Sequence, residues 1–387
     1  MPTSKLISSP HRLGILVVTR NLPPLVGGME RLVWHIVEAL HESERVHVVG
    51  PQGCRDHLPA DVTASEISLR PMLRFFLGAA LETITSARRL QPRLVLAGSG
   101  LTAPIAWLAA RFAGATSVVY LHGLDIKVEH PVYRLLWRPF FRHFDGVLVN
   151  SHYTRGLALE AGISPDRIEI LNPGVALPDL TRAQNQRNEF RKHFELGDHP
   201  IMLYVGRINA RKGLSVFARH ILPAINRALP DARLVVIGGE PRNALQNTPG
   251  EWNKVERALT ELSLTHTVEF LGPQDDEMLS MAYMAADVMV FPVQDIPGDI
   301  EGFGMVAIEA AAHNLPTVAF AVGGVPDAVN DGISGNLIAP GDNESFALET
   351  IKFLDPHSRL RTTSRQFAES FCWQAFGERL RSLLAKD

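Results

Sequence analysis

The stretch VMVFPVQDIPGDIEGFGMVAIEAAAHNLPTVAFAVGG, Val288 to Gly324, decides the fold. It opens on a short apolar run, passes a loop with Gly302 and Gly304, continues as MVAIEAAAH and ends in a second apolar run after Pro316. The two runs read as buried strands, and MVAIEAAAH as a helix stopped near Asn314 and Pro316. Strand, helix and strand in that order make a parallel βαβ unit. A glycine-rich turn opening a helix leaves backbone N–H groups and the positive helix end free to meet an anion. Glu309 lies five residues past Gly304, roughly 7–8 Å along the helix at 1.5 Å per residue. That reach matches ribose hydroxyls beside a bound phosphate. Glu301 stands before the loop, where a sugar would lie. The plainer reading is a buried glycine turn with Glu301 and Glu309 in salt bridges, and for this segment alone the two weigh equally.

The same alternation runs outward from this unit. PIMLYVGR, RLVVIGG, VEFLG and GNLIAPG add strands in the C-terminal half, and LGILVVT, VHVVG, RLVLAG, SVVYLHG, GVLVNS and IEILNPG do so between about Arg12 and Val175. Between most of them lie helical patterns, such as the stripe Met29, Leu32, Val33, Ile36, Val37 and Leu40. Continuous apolar strands alternating with such helices imply a parallel sheet covered on both faces. The polar stretch ALPDLTRAQNQRNEFRKHFELGDHP separates the halves. We therefore expect two doubly wound, Rossmann-like α/β domains of about six strands each, over residues 1–178 and 179–369. The amphipathic tail FCWQAFGERLRSLLA, about 370–387, is expected to join the first. Such domains place ligand loops at the carboxyl ends of their strands, so two facing each other would line a cleft.

Composition narrows the function. The chain has 387 residues, 46% hydrophobic, with a formal charge of −3 and two cysteines, Cys54 and Cys372. That balance gives no pull toward nucleic acid and no basis for a disulfide scaffold. The N-terminus does not read as a signal peptide, and a reducing, cytoplasmic setting fits. Leu101 to Leu121 is long enough to span a bilayer, but Arg111 at its middle and Gly114 favour a buried helix followed by a strand.

Further motifs sit at strand ends. In LYVGRINARKGL, Leu203 to Leu214, strand LYVG is followed by Arg207, Arg211 and Lys212. These basic side chains are well placed there to neutralise a diphosphate, and the plainer reading of a solvated basic loop weakens most for Arg207 and Lys212. In PPLVGGMERLV, Gly27 and Gly28 precede an amphipathic helix, but this is no G-x-G-x-x-G, so a dinucleotide reading lacks support. His122 and Asp125 follow strand SVVYL, Gly238 and Gly239 follow RLVVI, and Gly323, Gly324 and Asp327 follow PTVAFAV. Asp275 and Asp276 suit a solvent-facing helix start, and no metal is assigned.

In order along the chain, these segments resemble the retaining glycosyltransferases of family 4, which have the GT-B fold. The likeness rests on Gly27, Gly28, Glu30 and Arg31; His122 and Gly123; Asn150, Ser151, Thr154 and Arg155; Asn172 to Val175; Gly206, Arg207, Lys212 and Gly213; Glu301 to Glu309; and Gly323 to Asp327. A departure is Asp327, where the family often has Glu. The resemblance implies a C-terminal donor-binding domain and an N-terminal acceptor-binding domain. It implies that Arg207 and Lys212 bind the donor diphosphate, that Gly27 and Gly28 close on it, and that Glu309 holds the ribose. Glu301 and the backbone of Gly302, Phe303 and Gly304 would hold the sugar, Gly238 would line the donor, and His122 would touch the sugar near the reacting carbon. His122, Glu301, Arg207 and Lys212 are the expected catalytic set, with neither cofactor nor metal.

The Gly298 to Ala310 stretch looks most like members that use GDP-mannose, so a GDP-sugar carrying a mannose- or rhamnose-type hexose is the favoured donor. A UDP-hexose transferase, or a nucleotide-sugar epimerase or hydrolase on the same fold, is the alternative. The acceptor residues are not assigned. Arg70 to Gly78 and Tyr133 to Phe144 mix Arg with large apolar residues, as membrane-surface segments do. Helix core with solvated arginines is slightly favoured over that reading. The leading acceptor is nevertheless a glycan on a lipid such as a polyprenyl carrier, as in O-antigen, lipopolysaccharide or glycolipid assembly. Peripheral contact with the inner face of the plasma membrane would follow.

Overall fold

A computed structural model describes residues 14–240, 250–355 and 364–385. The apolar runs of the first half become β1 (Ile15–Val18), β2 (Val46–Pro51), β4 (Leu94–Ala97), β5 (Thr116–Leu121), β6 (Gly146–Val149) and β7 (Ile168–Ile170), with β3 (Thr63–Ile67) added at the edge. They form one sheet in the order β3-β2-β1-β4-β5-β6-β7, and every neighbouring pair is parallel. The sheet thus has seven strands, where about six are expected. The extra one, β3, reads TASEI and is half-exposed, so it lacks the apolar run that marks a central strand. Its helices include α1 (Gly28–His41), α2 (Met72–Leu90), α3 (Ala103–Ala113) and α4 (Pro131–Leu136). The predicted stripe of α1 is buried at Leu32, Val33, Ile36, Val37 and Leu40. Leu101 to Leu121 divides at Gly114 into α3 and β5, and no helix among the described residues is long and apolar enough to cross a membrane.

The second half repeats the plan with β8 (Ile201–Val205), β9 (Arg233–Ile237), β10 (Val268–Gly272), β11 (Val288–Phe291), β12 (Thr317–Phe320) and β13 (Gly335–Ile338). The order is β10-β9-β8-β11-β12-β13, again all parallel. Its helices include α5 (Ala183–His193), α6 (Asp276–Ala285), α7 (Met305–Ala312) and α8 (Trp373–Leu384). α6 starts as its acids predict, with the Asp275 carboxylate accepting from the Met278 N–H at 2.8 Å. In a doubly wound sheet, ligands bind beyond the carboxyl ends of the strands where the order reverses. Here the reversal lies between β8 and β11, paired at Met202 and Val288. In the first sheet it lies between β1 and β4.

The chain forms two compact units. One comprises residues up to Asn150, then Thr154–Leu171 and Phe376–Asp387; the other comprises Ser151–Tyr153 and Asn172–Ala375. Most of α8 therefore belongs to the first unit. There Leu380 is buried, the Arg381 guanidinium donates to the Ala39 carbonyl at 2.9 Å, and Arg93 donates to the Leu384 carbonyl at 3.2 Å.

Within the second unit, α5 is fixed by ions. Asp287, just before β11, accepts from Arg187 at 2.9 Å, from buried Arg191 at 3.1 Å and from the Ile201 N–H at 2.8 Å. Removing one partner of a buried pair strands the other charge, which costs about 3–5 kcal/mol. Asp287→Ala should lower stability by that order, and Asp287→Asn by less. Denaturant unfolding checks this; equal midpoints for wild type and Asp287→Ala would remove Asp287 from the account.

Candidate active site

The loops after β8 and β11 meet at the reversal of the second sheet. After β8 the Asn209 side-chain oxygen accepts from the Lys212 N–H at 3.0 Å. This caps the turn Ala210–Lys212, in which Arg211 and Lys212 are both buried. The loop after β11 is tied to it by the Gln294 N–H, which donates to the Arg211 carbonyl at 2.8 Å. That second loop brings in two carboxylates. Arg211 Nε donates to Asp299 at 2.9 Å, and its Nη1 donates to Glu301 Oε2. Lys212 Nζ lies 2.8 Å from the same Glu301 oxygen and 4.7 Å from the centre of the Phe291 ring.

Burial and charge pull these groups in opposite directions. Burial alone would raise the Glu301 pKa, but Arg211, Lys212 and Arg207 hold it down at about 2. Burial opposes the Arg211 charge too, yet Glu301 and Asp299 outweigh it and raise the pKa. Lys212 goes the other way. Desolvation, with repulsion from Arg211 and Arg207, outweighs Glu301 and lowers its pKa. A buried ammonium in that state gains from one more anion, and Arg207, exposed at the end of β8, adds a cation beside it. The cluster can therefore receive a diphosphate.

The remaining candidates divide. Gly304 precedes α7, and Glu309 on that helix accepts from the Tyr283 hydroxyl of α6 at 3.0 Å. The Phe303 side chain is buried and packs 6.1 Å from the Phe371 ring, so only its backbone is left for a ligand. Gly238 serves packing: its N–H donates to the Gly272 carbonyl, and a Cβ there would stand 1.9 Å from the Gly206 oxygen. Gly324 has a similar job under the loop of Glu301. Its N–H donates to the Glu301 carbonyl at 2.8 Å, and a Cβ would stand 2.0 Å from the Gly302 oxygen.

In the first unit, His122 directly follows β5 and is buried. Its Nε2 lies 2.9 Å from the Gly98 carbonyl, just past β4. A carbonyl only accepts, so Nε2 donates, which leaves Nδ1 as the nitrogen that can face a ligand. The Asp125 carboxylate accepts from the His122 N–H at 3.0 Å. Gly27 and an exposed Gly28 open α1 beyond β1. Two residues given no role on sequence grounds now have one in the second unit, Asp299, which holds Arg211, and Tyr283, which holds Glu309, while Arg211, read as one of the strand-end cations for a diphosphate, clamps Glu301 and its loop.

A family model described as Glycosyltransferase Family 4 matches residues 26–177, and one described as Glycosyl transferases group 1 matches residues 199–355. The chain is a family 4 glycosyltransferase. As such, this transferase moves a hexose from a nucleotide sugar. It is 28% identical to the GDP-mannose-dependent alpha-(1-6)-phosphatidylinositol monomannoside mannosyltransferase of Mycolicibacterium smegmatis, over 96% of this chain and 98% of that one. The D-inositol 3-phosphate glycosyltransferase of Mycolicibacterium vanbaalenii is 32% identical over 59% of this chain and 50% of its own. Among solved structures, Anabaena HepE in complex with UDP and glucose has a TM-score of 0.78 at 17% identity, covering 97% of the transferase and all of HepE. That likeness confirms the GT-B fold.

The ion cluster makes stability acid-sensitive. An ordinary glutamate titrates near 4.5, and folded Glu301 near 2. Its contribution is therefore complete above pH 4.5 and drains away as pH falls toward 2. Melting temperatures measured at falling pH should drop more steeply for wild type than for Glu301→Gln. Parallel curves would show that Glu301 is not held ionised by the cluster.

Proposed function

We propose that this transferase moves a mannose-type hexose from a GDP-sugar onto a lipid-borne glycan acceptor, with retention at the anomeric carbon. The end-to-end alignment with a mannosyltransferase that uses GDP-mannose carries the donor reading. That relative's acceptor is a phosphatidylinositol mannoside by name, which supports a lipid-linked acceptor here and a place for the enzyme at a membrane surface. Cell-surface polysaccharide or glycolipid assembly is the setting that such an acceptor implies.

The residues are assigned accordingly. Lys212 and Arg207 bind the diphosphate and stabilise the charge that grows on it as the anomeric bond breaks. The N-terminal backbone of α7 and Gly27–Gly28 are assigned to the same group, and Glu309 to the ribose. Glu301 and His122 Nδ1 accept hydrogen bonds from the sugar. The acceptor oxygen bonds to the anomeric carbon on the face that the diphosphate leaves, and its proton passes to a leaving phosphate oxygen. Two cations and a helix end supply the charge that a metal ion would otherwise bring.

A panel of nucleotide sugars tests the donor. GDP-mannose should raise the melting temperature most, because ligand binding favours the folded state. It should also be consumed only with an acceptor present, and transfer should continue in excess chelator. A larger shift with UDP-glucose would move the donor to the uridine series. Consumption without acceptor would mean a hydrolase or epimerase, and loss of transfer in EDTA restored by Mg²⁺ would mean a metal enzyme.

The two carboxylates should fail differently. Glu309 bonds ribose in ground and transition states alike, so Glu309→Gln should chiefly raise the donor Kd. One charge-assisted hydrogen bond is worth about 1.5–3 kcal/mol, about 10- to 100-fold. Glu301 faces charge that develops only during transfer, so Glu301→Gln should chiefly lower kcat. Calorimetry with turnover for both variants decides; the opposite split would exchange the roles.

A further inference from the structure

The two Arg-rich segments of the first unit are neither all core nor all surface. Phe75, Phe141 and Phe144 are buried. The leucines of helices α2 and α4 are not. On α2, Leu73, Leu77 and Leu81 recur every fourth residue and are 69%, 65% and 72% exposed. On α4, Leu135 and Leu136 are 74% and 53% exposed, beside half-exposed Val132. The two helices are neighbours, because the Phe76 ring of α2 packs edge-on against Trp137, just past α4, with centroids 5.4 Å apart. Large apolar side chains gathered in this way mark a docking face.

Charge identifies the occupant. Arg70 to Gly78 and His130 to His143 carry Arg70, Arg74, Arg134, Arg138 and Arg142, and no Asp or Glu. Arg142 is committed to the Ala161 carbonyl at 2.7 Å. Arg134 and Arg138 line a concavity of about 150 Å³ together with Lys127, Glu129 and Glu160. Lys127 stands 4.0 Å from Glu160 there. Among the described residues the guanidinium groups of Arg134 and Arg138 have no hydrogen-bond or ion-pair partner. An apolar face with unpaired arginines at its edge matches an anionic bilayer, which offers acyl chains and phosphates side by side. A second copy of the chain would bring these arginines against their own kind.

We propose that the α2–α4 face docks on an anionic lipid bilayer, with leucines entering the acyl boundary and Arg134 and Arg138 receiving a lipid phosphate. This rests on the reading of the acceptor as lipid-borne, and names the surface by which the enzyme reaches it.

The test is flotation of the full chain with phosphatidylcholine vesicles, with and without phosphatidylglycerol, at low and high salt. Binding should require phosphatidylglycerol and weaken with salt. Leu73→Glu, Leu77→Glu and Leu135→Glu should each weaken it by about tenfold, as expected for one buried leucine. Arg134→Gln with Arg138→Gln should lower binding to phosphatidylglycerol vesicles and reduce its salt dependence. No binding by wild type, or binding that ignores the leucine variants, would overturn the proposal. So would a dimer in light scattering that the same variants dissociate while vesicle binding stays unchanged. GDP-mannose affinity in vesicle-free solution, measured for every variant, should not move, which shows that each is folded. Loss of donor binding by wild type with vesicle binding intact would sink the transferase reading and leave the surface standing.

Discussion

The ion cluster of Arg211, Lys212, Asp299 and Glu301 is the interaction around which the second unit is arranged. Charges withdrawn from water are tolerable only when their partners are fixed, and here they come from loops separated by nearly ninety residues. What fixes them is the order of strands. The reversal sets β8 beside β11, so the loops that leave their carboxyl ends emerge together. Gly324 then supports the Glu301 backbone from the loop after β12, where any side chain would collide with Gly302. Sheet order, a small residue and the ion pairs thus serve one end, a carboxylate kept ionised beside a lysine whose charge burial opposes.

The two units present different chemistry. In the second, Arg211 and Lys212 are buried and ion-paired with Asp299 and Glu301, which suits recognition of a small, highly charged ligand. In the first, His122 is held in one tautomer by a backbone carbonyl, and the more distinctive feature is apolar and open. A transferase that draws on a water-soluble donor and, as proposed, a lipid-borne acceptor needs both kinds of surface.

Much of this was legible in the residues. The strands with four or five consecutive apolar side chains were readable because a parallel sheet buries both faces, and α7 because Gly304 and Asn314 bracket its helical run. β3 was not readable, since an edge strand can afford Thr, Ser and Glu. Among the candidate residues, the spacing of Arg207 and Lys212 pointed to a cationic strand end. It could not tell that Arg211 turns inward to clamp Asp299 and Glu301, because that depends on a loop far along the chain. The plainer reading of Glu301 as an ion-paired carboxylate and its reading as a site residue prove compatible. Gly238 shows the opposite limit: a glycine at a strand end looks like a ligand position, yet its amide is spent on Gly272.

The path of α8 bears on how the protein is made. The first unit is not continuous in the chain, for its last helix is the last described element of all. During synthesis its seven strands leave the ribosome early, while Leu380 and Arg381 arrive only after the whole second unit. Until then the surface that buries Phe376 and Leu380 stays open to water and to chaperones, since exposed apolar surface is what chaperones bind. The half that begins first is therefore the half that finishes last, and a ribosome that stops just after Ala375 releases a complete second unit joined to an unfinished first.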